Sequence, residues 1–216
     1  MRFKDRSDAG KVLAQMLARY DREDNSLILA LPRGGVPVAY EVAIRLHCPL
    51  DVFIVRKLGF PKQPELAMGA ISSGGIVVMN ESLIRSKAIS PETIAQVVKV
   101  ESQELERRER AYRADKPAQT ISGKTIFLID DGLATGASMK AALLAIKQQN
   151  PAQLIIAVPV ATEQSCDELQ HEADLVICAK TPEPFYSVGS WYDDFSQTTD
   201  FEVQDLLQKA AVIDLS

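Results

Sequence analysis

Two adjacent aspartates, Asp130 and Asp131, follow a short apolar stretch and precede a run of small residues in the sequence TIFLIDDGLATGAS. The apolar part, residues 125–129, is rich in β-branched side chains and bounded by glycines, which predicts a buried strand of a parallel sheet. The carboxyl ends of such strands are where open α/β sheets bind ligands. Two carboxylates there can accept hydrogen bonds from vicinal hydroxyl groups and can hold Mg²⁺ through water.

The small residues after the aspartates predict a phosphate site. The segment that follows, residues 138–148, has the apolar spacing of a helix, so the loop would lie at a helix start with its positive dipole end. Small side chains let the backbone approach an anion closely, and hydroxyl groups add donors. The residues expected to contact the phosphate are Ala134, Thr135, Gly136, Ala137 and Ser138. A carboxylate pair one sugar's length from this cradle predicts a ribose 5-phosphate moiety as ligand.

Strand and helix patterns alternate along most of the chain, which predicts an α/β fold with an open, mostly parallel twisted sheet flanked by helices. Strands are predicted at residues 26–31, 51–55, 125–129, 154–160 and 175–179. A short hairpin is predicted from residues 69–71 and 76–79. Helices are predicted at residues 7–17, 36–46, 91–114, 138–148 and 163–171. The aspartate pair and the phosphate loop would therefore lie at the carboxyl edge of the sheet.

The stretch IFLIDDGLATGAS closely resembles the phosphoribosyl pyrophosphate motif of type I phosphoribosyltransferases, which is a hydrophobic strand, two acidic residues and a T-G-x-S/T loop. The resemblance implies that fold, with a small hood and an inserted long helix. It implies that Asp130 and Asp131 hold the ribose, contact Mg²⁺ indirectly through the ribose or water, and take part in catalysis. An acidic turn before a well-capped helix is the alternative, but it does not explain the whole order of residues.

Two further segments fit the same resemblance. In SLILALPRGGVPVAYEVA, a predicted strand ends at a loop whose equivalent in the family holds pyrophosphate, which implies that role for Arg33, Gly34 and Gly35, with Arg33 also catalytic. In DVFIVRKLGF, the resemblance implies that Arg56 and Lys57 meet the pyrophosphate. Taken alone, the first segment signals only a turn, and the second only two cations at the end of a strand.

The implied reaction transfers the 5-phosphoribosyl group from phosphoribosyl pyrophosphate to a nitrogenous acceptor and releases pyrophosphate, with Mg²⁺ as cofactor. Purine enzymes of the family typically carry an aspartate where this chain has Ala134, which argues against simple purine salvage, and uracil is not established either. Phe185, Tyr186 and Trp191 are candidates for stacking on a planar acceptor, although aromatic residues also fill small cores. The acceptor is therefore left unidentified.

The resemblance predicts one phosphoribosyltransferase-like domain over residues 1–216. Within it, residues 61–118 would be an insertion or covering region, and residues 181–216 a hood-like C-terminal segment. The long helix at 91–114 mixes both charge signs, so its arginines either form pairs along a solvated helix or reach the site.

The net charge of the chain limits the kinds of partner that it is expected to bind. A formal net charge of −5 argues against a nucleic-acid partner, because such binding depends on clustered cations. It therefore gives little support to the main rival, a non-catalytic regulator that senses phosphoribosyl pyrophosphate or nucleotides and binds nucleic acid.

No apolar run is long enough to span a membrane, and the first residues lack a signal-peptide core, so a cytoplasmic protein is expected. The odd number of cysteines argues against a disulfide or zinc site. A homodimer, the commonest closed assembly, remains an option.

Overall fold

The chain folds around a parallel sheet in a computed structural model that describes residues 2–61, 63–114 and 116–213. In chain order, the strands β1 to β8 are Ser26–Ala30, Leu50–Val52, Val55–Phe60, Gln63–Ser72, Ile76–Met79, Thr125–Ile129, Gln153–Val160 and Leu175–Lys180. The helices α1 to α7 are Arg6–Met16, Gly35–Leu46, Glu81–Ser86, Pro91–Arg113, Ala137–Lys147, Glu163–Gln170 and Asp200–Ile213. The predicted α/β fold class is confirmed.

The main sheet has five parallel strands in the order β2-β1-β6-β7-β8. Its central strand β6 pairs in register with both neighbours, so that Ile129 lies opposite Ala30 and Ala157. Alternate residues of β6 enter the cores on opposite faces of the sheet, Phe127 on one face and Leu128 on the other. Because both faces are buried from Ile126 to Ile129, that part of the strand is apolar, and the aspartates follow where the strand ends.

A second sheet of three antiparallel strands, β3-β4-β5, follows β2. The predicted hairpin is confirmed. The strand predicted at 51–55 is present only as far as Val52, because the chain leaves the parallel sheet after that residue. Phe53 still donates its N–H to the carbonyl of Ala30, whereas Ile54 exchanges hydrogen bonds with Ser73 next to the hairpin turn. Arg56 and Lys57 therefore lie inside the antiparallel sheet rather than at the end of a parallel strand.

Helix α4 forms as predicted, and its arginines mostly pair along the helix. Arg107 and Arg108 both contact Glu104, and Arg110 lies 3.6 Å from Glu106. Arg113 is the exception, because its side chain is only 9% exposed and also binds Asp51 on β2, the edge strand of the main sheet. Within residues 2–61, 63–114 and 116–213, no helix combines the length and the hydrophobicity needed to span a bilayer.

Helix α7 was not predicted from the sequence. A capping signal precedes it, because the Thr199 hydroxyl accepts a hydrogen bond from the N–H of Glu202 at 3.1 Å. This is one half of the T-x-x-E pattern that often starts a helix. The helix packs on α2 and α4 through residues such as the buried Val203. The carboxylate of its first residue, Asp200, lies 3.7 Å from Arg33 in the loop after β1.

The expectation that the cysteines form no disulfide is wrong. Cys166 on α6 is joined to Cys178 on β8, although twelve positions separate them in the sequence. Helix α6 runs back along the edge strand, and this brings the two residues together. The third cysteine, Cys48, is buried outside any disulfide, with its sulfur 3.1 Å from the Ser26 hydroxyl.

Candidate active site

The two aspartates lie directly beneath the glycines of the loop after β1. A Cβ atom on Gly35 would lie 2.8 Å from the carbonyl oxygen of Ile129 and 3.0 Å from Cα of Asp130. A Cβ on Gly34 would collide with Oδ2 of Asp131. Glycine is therefore required at both positions by this close approach, and the loop that follows the cis peptide between Pro32 and Arg33 is held against the end of β6.

Asp131 forms an ion pair with a residue that the sequence did not indicate. Nε of Arg6, the first residue of α1, donates to Oδ2 of Asp131 at 2.8 Å. The two side chains are 12% and 15% exposed, so little water screens the pair. Asp130 Oδ1 accepts the backbone N–H of Asp131 at 2.8 Å, which fixes the first carboxylate beside the second.

Burial dominates the electrostatics of this pair. Loss of water raises the pKa of Asp130 well above its ordinary value, and the charge of Asp131 raises that pKa further. Burial also raises the pKa of Asp131, although the hydrogen bond and charge of Arg6 oppose the rise. Two adjacent, half-buried carboxylates need cationic or hydroxyl partners to remain charged together, as a ligand-binding pair does.

Residues 134–138, which we call the phosphate-type loop, are supported on one side by hydrogen bonds from α6 and are mostly exposed to solvent. The Ala134 carbonyl accepts hydrogen bonds from the hydroxyls of Ser165 at 2.8 Å and Thr162 at 3.3 Å, both at the start of α6. Gly136 adopts a left-handed conformation with φ of 65° where α5 begins. Among the hydrogen bonds found within the described residues, none uses the backbone N–H groups of Thr135, Gly136 or Ala137. The loop therefore presents free donors at a helix start, which is an arrangement that binds anions.

Arg33 lies at the site but is paired with an acidic residue. Its Nη1 is 3.7 Å from Oδ1 of Asp200, and both side chains are partly exposed. The Tyr112 hydroxyl donates to the same carboxylate oxygen at 2.7 Å. Burial, together with this hydrogen bond, raises the pKa of Tyr112 to about 12, so the phenol stays protonated as a donor.

Arg56 and Lys57 point to different sides of their strand, as successive strand residues do. Arg56 binds Glu101 of α4 at 2.6 Å and faces away from the phosphate-type loop. Lys57 instead lines a cleft of about 700 Å³ together with Ala137 and Ser138. The structure therefore brings Lys57, but not Arg56, to the side of the sheet where the phosphate-type loop lies.

The aromatic residues near the C-terminus are divided between surface and core. Tyr186 is 83% exposed, whereas Phe185 and Trp191 pack against a small core that contains Phe3 and Tyr192. The Trp191 indole N–H is buried and has no hydrogen-bond partner within the described ranges. Of the three sequence candidates, Tyr186 is the exposed one, whereas Phe185 and Trp191 are half-buried.

Tyr192 connects this C-terminal segment to the aspartate pair. Its side chain is 3% exposed, and its hydroxyl donates to the backbone carbonyl of Asp131 at 2.6 Å. The backbones of Phe3 and Asp193 are also hydrogen-bonded, at 2.8 Å, so the first and last segments of the fold lie together over this edge of the sheet. The sequence carried no signal for this contact, because 61 positions separate Tyr192 from Asp131.

Replacing Tyr192 with Phe should lower the free energy of unfolding by about 1–3 kcal/mol, because a buried carbonyl loses its donor. Urea denaturation would measure the change. The control Tyr186→Phe alters a hydroxyl on the exposed residue and should change stability by less than about 0.5 kcal/mol. Equal stability of Tyr192→Phe and the native protein would contradict the assigned hydrogen bond.

The chain is similar to known proteins over most of its length. A family model described as phosphoribosyl transferase domain matches residues 3–195. Two Mycobacterium tuberculosis proteins, named "Putative phosphoribosyl transferase MT0597" and "Putative phosphoribosyl transferase Rv0571c", are 41% identical to this chain over 208 residues. The match covers 96% of this chain and 47% of each of those proteins, so the chain spans about half the length of these curated relatives.

A solved structure has the same fold. The crystal structure of TT1426 from Thermus thermophilus superposes with a TM-score of 0.85 at 39% sequence identity. The superposition covers 97% of this chain and 99% of that one.

Proposed function

The chain belongs to the phosphoribosyl transferase family, and on that basis we propose that it transfers the 5-phosphoribosyl group from phosphoribosyl pyrophosphate to a nitrogenous acceptor and releases pyrophosphate. One observation carries the proposal. A half-buried carboxylate pair lies between a glycine loop that approaches it directly and a phosphate-type loop whose backbone donors are free. Carboxylates suit the ribose hydroxyls, and each loop suits one of the donor's two phosphate ends.

The 5-phosphate of the donor would bind at residues 134–138, with the backbone N–H groups and the hydroxyls of Thr135 and Ser138 as donors. The pyrophosphate would bind at Gly34, Gly35 and Arg33. Because Arg33 is paired with Asp200 at 3.7 Å, pyrophosphate would replace that carboxylate as its partner. Lys57 would approach from the cleft it shares with Ser138, and Arg56 would contribute only after leaving Glu101.

In the transfer, the bond between C1 of the ribose and the pyrophosphate oxygen breaks while the acceptor nitrogen bonds to C1, and an acceptor that carries an N–H proton releases it to solvent. Positive charge develops on the ribose ring and negative charge on the leaving pyrophosphate. Asp130 and Asp131 would orient the ribose hydroxyls and lie near the positive charge, while Arg33 and Lys57 would stabilise the negative charge. These residues would act mainly by positioning and electrostatics.

The aspartate pair fits a magnesium ion that arrives with the substrate. Among the described residues, no cluster of three or more potential ligands could enclose a metal ion. Mg²⁺ commonly binds through one or two carboxylates together with water and substrate phosphates. Asp130 and Asp131 would hold it in this indirect way, through the ribose or water. The ion would supply charge neutralisation on the pyrophosphate.

The acceptor would bind against residues 181–216, which we propose as the hood-like C-terminal segment. Tyr186 would stack on a planar acceptor with its exposed face, and Phe185 and Trp191 would support the segment from the core. Residues 61–118 would cover the donor from the other side. A cytoplasmic location and a homodimer stay predictions, which cell fractionation and sedimentation equilibrium would check.

The test of the proposed function is a pyrophosphate-release assay. The protein, phosphoribosyl pyrophosphate and Mg²⁺ are incubated with a panel of purines, pyrimidines, pyridine and aromatic carboxylates, and amines. Release that depends on one acceptor, with a phosphoribosylated product found by mass spectrometry, is the expected result. Donor binding without release for any acceptor would favour the sensing regulator instead.

With the acceptor from that panel, Tyr186→Ala should raise the KM for the acceptor about tenfold while leaving the KM for the donor within about twofold, because only acceptor stacking is lost. Steady-state kinetics with each substrate varied in turn would measure the split. Tyr186→Phe keeps the ring and should behave like the native protein. A larger effect of Tyr186→Ala on the donor would remove this residue from the acceptor site.

A further inference from the structure

Arg6 contacts two separate segments of the site from the start of α1. Its Nε donates to Oδ2 of Asp131, and its Nη1 donates to the carbonyl of Ser196 at 2.7 Å. Its guanidinium carbon also lies 3.9 Å from the centre of the Phe195 ring. One nearly buried side chain therefore joins the aspartate pair to the C-terminal segment.

The loop after β1 meets the same ion pair. A Cβ on Gly34 would lie 2.7 Å from Cγ of Asp131 and 3.2 Å from Nε of Arg6. The Arg6–Asp131 pair therefore fills the space under this loop. The proposed ribose carboxylate, pyrophosphate loop and acceptor segment all converge on one guanidinium group.

The Arg6 side chain points toward Asp131 although other acidic residues lie nearby. A small cleft of about 250 Å³ beside Arg6 is lined by Asp5, Asp194 and Glu202, where an ion pair would stay hydrated. Arg6 instead pairs inward with Asp131, at 12% exposure. The carbonyl of Ser196 and the Phe195 ring hold the guanidinium group of Arg6 in that direction. The N–H donors of a guanidinium have a fixed planar geometry, so one group can bind two acceptors at once.

We propose that Arg6 is a positioning residue that fixes Oδ2 of Asp131 and thereby aims Oδ1 at the ribose of the bound donor. This inference rests on the proposed function. Among the hydrogen bonds found in the described ranges, none uses Oδ1, so that oxygen is available to a hydroxyl group. Because Arg6 also contacts Ser196 and Phe195, it would couple the orientation of the Asp131 carboxylate to the position of the C-terminal segment.

A double-mutant cycle read by calorimetry with ribose 5-phosphate tests this role. The variants are Arg6→Ala, Asp131→Asn and the two combined. Each single change should weaken ribose 5-phosphate binding about tenfold, and the double variant should bind no more weakly than the weaker single one, because Arg6 acts through Asp131. Additive losses, or unchanged binding by Arg6→Ala, would overturn the inference.

Two further variants separate positioning from a general structural role. Arg6→Lys keeps the charge but not the fork, so its affinity should lie between those of the native protein and Arg6→Ala. Arg45→Ala removes an exposed arginine paired with Asp21 and should leave affinity unchanged. Inorganic pyrophosphate would meet the loop above the ion pair and not Asp131 itself, so Arg6→Ala should weaken its binding less than it weakens ribose 5-phosphate binding. An equal loss for both ligands would indicate a general loss of site structure and overturn the role.

These outcomes are distinct from failure of the proposed function. Native protein that binds neither ribose 5-phosphate nor phosphoribosyl pyrophosphate would overturn the function and the role of Arg6 together. Native protein that binds, with Arg6→Ala binding equally well, would overturn the role of Arg6 alone. If Arg6→Ala fails to fold, the cycle is run with Arg6→Lys, for which any loss of affinity should vanish in the Asp131→Asn background.

Discussion

Asp130→Asn is expected to lower the rate of pyrophosphate release by about a hundredfold or more, the loss typical of removing one preorganised electrostatic group. The carboxylate would lie beside the positive charge that develops on the ribose, and an amide cannot supply that charge. The fold should persist, because the amide oxygen of Asn can still accept the N–H of Asp131. Since burial disfavours the charged form of Asp130, the neutral variant should be at least as stable as the native protein.

The rate is measured with saturating donor and acceptor, and the stability by urea denaturation. Asp167→Asn is the matched control, since it makes the same change at an exposed position on α6 and should retain the native rate. Native turnover by a folded Asp130→Asn protein would remove this carboxylate from the mechanism.

Ala137→Asp should strongly weaken donor binding while leaving the helix intact. Ala137 is the exposed first residue of α5, next to the backbone donors of the loop. A carboxylate there would stabilise the helix start by about 0.3–1 kcal/mol. It would also repel a phosphate a few ångströms away by several kcal/mol, so ribose 5-phosphate should bind at least about a hundredfold more weakly.

The matched control is Ala152→Asp, which adds the same charge at an exposed position just before β7, at the opposite edge of the main sheet. Calorimetry should give native affinity for this control. If both variants bind ribose 5-phosphate as the native protein does, the phosphate does not lie at residues 134–138.

The fold could be predicted largely from the sequence because local patterns carry most of it. Strand β6 occurs where the β-branched run 125–129 predicts it, and the long helix α4 begins at Pro91 with the Ser90 side chain as its cap. The break between β2 and β3 could not be predicted in this way, because it depends on the pairing of Ile54 with Ser73 across a hairpin.

The site could be predicted only in part, for the same physical reason. The aspartates and both loops lie in contiguous motifs, and parallel strands necessarily bring them to one edge. Arg6 and Tyr192 approach Asp131 from positions 125 and 61 residues away, so no local pattern reveals them. Such long-range partners are set by tertiary packing.

The ion pairs of the two proposed pyrophosphate arginines also bear on mechanism. Arg33 is paired with Asp200 and Arg56 with Glu101, and the second pair is the shorter, at 2.6 Å. Both partners lie on helices outside the main sheet, at the start of α7 and in α4. Donor binding that recruits these arginines would therefore shift the two helices or exchange their contacts.

The most direct test of the donor site is a calorimetric titration of the native protein with phosphoribosyl pyrophosphate and Mg²⁺, beside the Ala137→Asp variant. We predict saturable binding by the native protein, with one donor per chain, and at least about a hundredfold weaker binding by the variant. Absence of binding by folded native protein, both alone and with the acceptor panel present, would contradict the assignment of this edge of the sheet as a phosphoribosyl pyrophosphate site.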